Sequence, residues 1–180
     1  DFKGNNSLGV LATERRGGDY YNSLQSVDGH WQRKEHSVEV QYIQTRTRDP
    51  GDAPISGDAY SAYYTYDSRN WFGLLGRDQF DDGFRADMGF IGQVGYEQDT
   101  ARLTRHWWGE KGDFFNHITV NGRWYDSRAT DGTLLDLTRD VWVGANAPLQ
   151  SYMEYGHVER DRVWNGVRFE EKLDRVYGSI

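Results

Sequence analysis

Carboxylates are the first residues in this chain whose types and spacing could do chemistry. Asp78, Asp81, Asp82 and Asp87 crowd the stretch DQFDDGFRAD, close enough in sequence to ligate Ca²⁺ through oxygen. Asp49, Asp52 and Asp58 form a looser group in DPGDAPISGD. Neither group follows the EF-hand spacing, and acidic surface loops are common, so a solvated loop accounts for both better than a metal site does. Glu110, Asp113, Asp136 and Asp140 offer acids for a glycosidase pair, which needs a gap of about 5–9 Å between carboxyls, but nothing in the sequence sets that gap. The histidines, His30, His36, His106, His117 and His157, show neither HExxH nor another close ligand spacing, so no zinc site is expected. No GxSxG elbow surrounds Ser7 or Ser151, and no phosphate-cradling GxxxxGK[ST] loop exists. Tyr20-Tyr21, Tyr63-Tyr64 and Trp107-Trp108 offer rings for stacking on sugars, yet neighbours on a strand face opposite ways, which favours packing or membrane-interface roles. No catalytic residue, metal or cofactor is assigned on these grounds.

The elements that carry these residues are strands. From Phe114 to Tyr125 the even positions read Phe, Asn, Ile, Val, Gly, Trp and the odd ones Phe, His, Thr, Asn, Arg, Tyr. From Leu135 to Ala147 the odd positions run Leu, Leu, Arg, Val, Val, Ala, Ala, against Asp136, Thr138, Asp140, Trp142, Gly144 and Asn146. A period of two makes each segment a ribbon with one apolar and one polar side. The polar side carries His117, Asn121, Arg123, Asp136 and Asp140, which suit a hydrated lumen; in a soluble sandwich they would face bulk water. On the apolar side, the band Val141, Val143, Ala145, Ala147 continues past Pro148 into Leu149, Met153 and Tyr155, and Arg139, His157 and Glu159 lie beyond it. These runs are roughly twice the usual strand length of about 5–6 residues and match the roughly 9–11 residues that a tilted strand needs to cross a bilayer.

Further strands are expected at Ser7–Arg15, Leu24–Lys34, Ser37–Arg46, Tyr60–Tyr66, Asn70–Arg77 and Ala101–Trp108. Another is expected where Met88, Phe90, Gly92, Val94 and Tyr96 share a face, turned back by Glu97–Thr100, and two more at Val167–Leu173 and Arg175–Ile180. Asp49–Asp58 reads as a loop and Ser127–Gly132 as a turn region. With 12 Tyr, 8 Phe, 7 Trp and 21 Gly but only 3 Pro, the composition fits strands better than helices. A net charge of -7 argues against a nucleic-acid partner. The absence of cysteine excludes disulfides and thiolate metal sites. No run of eighteen apolar residues is present, so no transmembrane helix is expected, whereas alternating barrel strands are compatible with the mean hydropathy of -0.86.

Four stretches carry a family resemblance: NNSLGVLATERRGGDYYNSLQSVDGHWQ at Asn5–Gln32, DSRNW at Asp67–Trp71, DDGFRADMGFIGQVGY at Asp81–Tyr96 and APLQSY at Ala147–Tyr152. Together they resemble the C-terminal region of a bacterial family in which a carbohydrate-binding, family-nine-like module precedes a long region taken to be an outer-membrane β-barrel. The resemblance implies fold and location rather than a reaction, since the family has no established catalytic residues. It also implies a barrel region longer than this chain.

The reading is an all-β, antiparallel up-and-down meander forming a transmembrane β-barrel or barrel segment. It is expected to be a single barrel domain or segment over 1–180 and to continue past residue 180, since the chain does not finish on the aromatic residue common at the end of outer-membrane barrels. Its expected role is to form or line a porin-like pore in the bacterial outer membrane, for transport or surface presentation. Membrane lipid and lipopolysaccharide are the expected partners, with other envelope proteins as further candidates. The alternative is a soluble all-β binding module, for carbohydrate among other ligands. An envelope glycan or lipid hydrolase is a third reading, and the chain is not expected to be an enzyme.

Overall fold

The computed structural model describes residues 5–87, 89 and 91–180. Ten strands follow one another: β1 (Ser7–Gly17), β2 (Tyr20–Arg33), β3 (His36–Arg48), β4 (Ile55–Asp67), β5 (Trp71–Phe80), β6 (Tyr96–Trp108), β7 (His117–Ala129), β8 (Leu134–Asn146), β9 (Tyr152–Trp164) and β10 (Val167–Ser179). They form a single antiparallel up-and-down sheet in sequence order, with β1 and β10 at its edges. No helix among the described residues is long and apolar enough to cross a membrane, which says nothing of crossing by strands.

Turn chemistry explains the tight connections. Asn165 and Gly166, between β9 and β10, both take positive φ (49° and 76°), the pairing that a type I′ hairpin turn demands and that Asn-Gly adopts most readily. Register then follows, with Trp164 opposite Val167 and Tyr152 opposite Ser179. In the turn between β7 and β8, Asp131 accepts a hydrogen bond from the Thr133 amide at 2.8 Å. That bond and one with the Thr133 side chain hold the Asp131 carboxyl below its ordinary pKa.

Several expected boundaries are corrected. The Met88–Tyr96 strand does not form: Gly92 and Val94 lie in the connection between β5 and β6, and Tyr96 opens β6. Met88 and Phe90 lie outside the described residues. The connection closes where the Gly95 amide donates to the Phe80 carbonyl at 2.9 Å, with Gly95 at φ 74°. Glu97–Thr100 is strand rather than turn. Phe114 and Phe115 precede β7, in a loop closed by the Gly109 amide on the Asn116 carbonyl at 3.0 Å. Leu149 sits at φ 62° in the turn between β8 and β9, so it does not extend the apolar face of β9. Ile55–Asp58 belongs to β4, and the two expected C-terminal strands are one, β10.

The chain divides into two compact units. One holds residues 1–64, 76–99 and 128–133; the other holds 65–75, 100–127 and 134–180. Burial in both is inverted relative to a water-soluble fold. Among the described residues, the fully buried apolar side chains are Ala59 and Phe84, while Asn22, Ser26, Thr45, Thr47, Thr104, Thr119, Asn121, Ser127, Thr138 and Asp140 are buried and polar.

A non-glycine residue in the left-handed region costs about 1–2 kcal/mol, and a β-branched one tolerates it worst. Gly166→Val is therefore expected to lower stability by roughly that amount, read from equilibrium urea unfolding, with no change in the strand content seen by circular dichroism.

Candidate functional site

The candidate site is the polar face of the strands, and each unit covers it differently. In the first unit, Asn22 and Thr47 stand opposite one another on β2 and β3, as do Leu24 and Thr45. Asn22 and Thr45 are each only 1% exposed. The segment 81–87 between β5 and β6 lies over them. Asn22 donates its side-chain amide to Thr47 Oγ1 (2.7 Å) and to the Arg85 carbonyl (3.0 Å). Thr45 Oγ1 accepts from the Arg85 amide (3.1 Å) and donates to the Gly57 carbonyl (3.1 Å). Gly57 permits this approach, because a β-carbon there would collide with the backbone of Gly83 and Phe84. Phe84 is buried with its ring edge-on to Phe80 at 5.4 Å, and Phe80 stacks on Tyr96 at 5.3 Å. Arg85 pairs with Asp49 (2.9 Å) and with Asp87 (3.0 Å), and Tyr20 donates to Asp87.

In the second unit the cover is made of long polar side chains lying over short ones. Arg102 Nε donates to Asn121 Oδ1 at 2.6 Å, and Thr104 Oγ1 donates to the same oxygen at 2.8 Å. Arg123 approaches Asp140 Oδ2 with Nε at 2.6 Å and Nη2 at 2.5 Å. Arg160 Nε donates to Thr138 Oγ1 at 3.2 Å, and Thr138 Oγ1 donates to Asp136 Oδ1 at 2.6 Å. His106 Nδ1 meets His117 Nε2 at 3.0 Å, and the His117 ring stacks on Trp108 at 4.1 Å. A cleft of about 300 Å³ opens on this face, lined by Arg102, Asn121, Arg123, Asp140, Trp142 and Arg175 among others.

The opposite faces are apolar and uncovered. In the first unit Val10, Val27 and Tyr42 form a cross-strand row, and Leu8, Trp31 and Val40 flank it, all exposed. Val10 is 81% exposed. In the second, Val143, Tyr155 and Val176 form one row and Ala145, Met153 and Gly178 the next. Met153 is 68% exposed. A charged row bounds this band: Arg139 stands opposite Glu159, and Glu159 opposite Lys172, whose Nζ lies 2.8 Å from it. Tyr155 turns its hydroxyl to Asp174 at 2.7 Å, and His157 reaches the same carboxylate at 2.8 Å. Near the start of β5 and the end of β6, the Arg105 guanidinium lies 4.7 Å from the Trp71 ring and 5.2 Å from the Trp107 ring.

Of the residues singled out from the sequence, Arg123 and Asp140 are in contact, Asn121 shares their cleft, Asp136 belongs to the neighbouring Thr138–Arg160 cluster, and His117 belongs to the histidine pair. The acidic group near Asp82 is dispersed: Asp78 accepts from Tyr63, Asp81 from the Asp58 amide (3.1 Å), Asp82 from Thr130 (2.9 Å) and Asp87 from Tyr20 and Arg85. Among the described residues no three His, Cys, Asp or Glu side chains gather to hold a metal ion. Asp113 closes its own turn on the Glu110 amide at 2.8 Å. Arg102, Arg160 and Arg175, which complete the polar face, were not singled out. Parity marks Arg102, which stands between Ala101 and Leu103, whereas Arg160 lies between Glu159 and Asp161, where alternation gives no signal.

No protein-family model matches this chain, and no curated protein and no solved structure matches it.

Thr45→Val leaves the Arg85 amide and the buried Gly57 carbonyl each without a side-chain partner, a loss of about 1–3 kcal/mol. Hydrogen exchange at the Arg85 amide is expected to accelerate at least tenfold in that variant. Exchange across β8 and β9 should stay unchanged.

Proposed function

We propose that this chain is the wall of a transmembrane β-barrel of the bacterial outer membrane, its polar face lining a water-filled pore and its apolar face meeting lipid. The observation that carries the reading is the inverted burial: polar side chains are enclosed and hydrogen-bonded while large apolar ones stand exposed on the other side of the same strands. In water, burying apolar surface is the chief force for folding, so a face such as that of Val143, Met153 and Val176 would be left without its main stabiliser. In a bilayer that face needs no protein partner, and outward apolar residues alternating with inward polar ones are the barrel pattern.

Strand dimensions agree. Most strands are 13 residues long, against about 9–11 needed to cross the hydrocarbon core at a tilt. At the end of the apolar band of β8, Phe114 and Phe115 from the loop before β7 line one cavity with Ala145 and Ala147, and Arg105 between Trp71 and Trp107 has the make-up of an aromatic girdle at headgroup level. The charged row of Arg139, Glu159 and Lys172 then lies past the hydrocarbon. Bilayers do not tolerate unpaired strand edges, so β1 and β10 are paired in the membrane-embedded protein. The family resemblance supports the same location.

The mechanism is selection by size and charge. The segment 81–87 occupies space on the polar face of the first unit, and Arg123, Asp136, Asp140 and His117 set the local field on that of the second. No bond-making chemistry is proposed: Asp140 is committed to Arg123 and Asp136 to Thr138, so neither carboxylate stands free as a glycosidase acid.

Val143→Arg separates a lipid-facing from a water-facing side chain. Full-length protein folded into vesicles from urea is expected to lose about 2–4 kcal/mol with this change, the cost of Arg near a bilayer midplane. A loss within about 0.5 kcal/mol, the size typical of surface substitutions in water, contradicts the proposal.

A further inference from the structure

We infer that the cleft on the polar face of the second unit is a binding site for a small solute bearing an oxyanion, carboxylate or phosphate, with Arg102 as its principal contact. The inference deepens the pore reading and rests on it for access, since a solute reaches this face through water.

Three guanidiniums, from Arg102, Arg123 and Arg175, line one cleft of about 300 Å³. Two of them are already matched with carboxylates. Arg123 is held by the buried Asp140 at 2.5 Å, and Arg175 pairs with Glu154. Arg102 is different. It donates Nε to Asn121, lies over the Phe72 ring at 5.3 Å, and makes no ion pair among the described residues. With Nε engaged and one ring face stacked, the guanidinium is held in place while its terminal nitrogens keep their donors. That planar fork is the geometry that takes a carboxylate or phosphate in two parallel hydrogen bonds. With Glu154, which pairs with Arg175 from outside the lining, counted beside Asp140, the three arginines exceed the carboxylates by one cation, in a chain whose net charge is -7.

Asp140 explains why the excess is confined to one arginine. Its carboxylate occupies Arg123 through Nε and Nη2, the same edge that an incoming oxyanion would use. Asp140 thus acts as a built-in competitor, and removing its charge frees a second fork beside the first. Asn121 is 2% exposed and carries the Arg102 contact, so it is a positioning residue. Trp142, half-buried, stands opposite Gly156 in the β8–β9 register and lines the same cleft. An apolar or sugar ring attached to the oxyanion has a surface to lie against there. This combination of a few convergent polar groups with an aromatic wall is that of a small-molecule site.

The test is isothermal titration of full-length protein in detergent micelles with glucuronate, with glucose 6-phosphate and with glucose. Saturable binding of at least one anion and none of glucose is expected; glucuronate alone points to a carboxylate ligand and glucose 6-phosphate alone to a phosphate. Arg102→Gln should weaken that binding about tenfold or more, the loss of one charge-assisted pair. Asp140→Asn should tighten it. Opposite signs from two neighbouring substitutions are not the signature of general unfolding, and the wild-type comparison of anion with glucose stands even if a variant fails to fold. The inference is overturned if neither anion binds saturably, if glucose binds as well as the anions, or if Arg102→Gln leaves the affinity unchanged. Planar-bilayer conductance separates the two levels. A protein that conducts but binds neither anion loses the cleft and keeps the pore, and one that binds an anion but never inserts keeps the cleft and loses the pore.

Discussion

Successive side chains on a strand point to opposite faces, so a sheet is obliged to choose which medium each face meets, and everything else in this structure depends on that choice. Buried polar groups are tolerable only when hydrogen-bonded. Here they are: among the described residues no buried side-chain nitrogen or oxygen lacks a partner. Asn22, Thr45, Thr138 and Asp140 are enclosed within networks of donors and acceptors, while Val10, Val143 and Met153 on the other faces are exposed. The polar face holds itself together by directional bonds. The apolar face requires something outside this sheet.

The two units satisfy their polar faces by different means, and the difference has functional weight. In the first, backbone does the covering: segment 81–87 places Arg85 against Asn22 and Thr45 and inserts Phe84 beside Phe80. Gly57 and Gly83 make that approach sterically possible. Backbone held at that many points is fixed over the polar face. In the second unit, arginines do the covering, and arginines leave clefts between them. Arg102, Arg123 and Arg160 each bridge to a shorter polar residue on the adjacent strand. A face built this way carries charges of both signs around a cleft of about 300 Å³.

Period-two alternation makes the long strands legible in the sequence, and β8 shows why: its apolar and polar residues segregate by parity with Arg139 the single charged residue among the apolar ones. The same reasoning failed on Met88–Tyr96. Gly92 and Val94 alternate correctly there, but alternation is silent about pairing, and the ladder between β5 and β6 ends at Phe80 and Gly95. The polar face was partly legible. His117, Asn121, Arg123, Asp136 and Asp140 stood out because they alternate with apolar neighbours on two long strands. Arg175 did not, because it faces Gly156 across a strand pair whose register is set by the Asn165-Gly166 turn. The cover of segment 81–87 was beyond reach: its contacts with Asn22 and Thr45 span 40 to 63 positions of sequence.

Site-directed spin labelling along β8 and β9 of the reconstituted full-length protein tests the central claim most directly. Labels at Val143 and Met153 are predicted to collide readily with oxygen, which dissolves in hydrocarbon, and rarely with a water-soluble nickel complex. Labels at Trp142 and Gly144, on the other face, are predicted to reverse that preference. Equal access to nickel at all four positions, or protection of Val143 and Met153 from both reagents as in a packed protein core, would contradict the account.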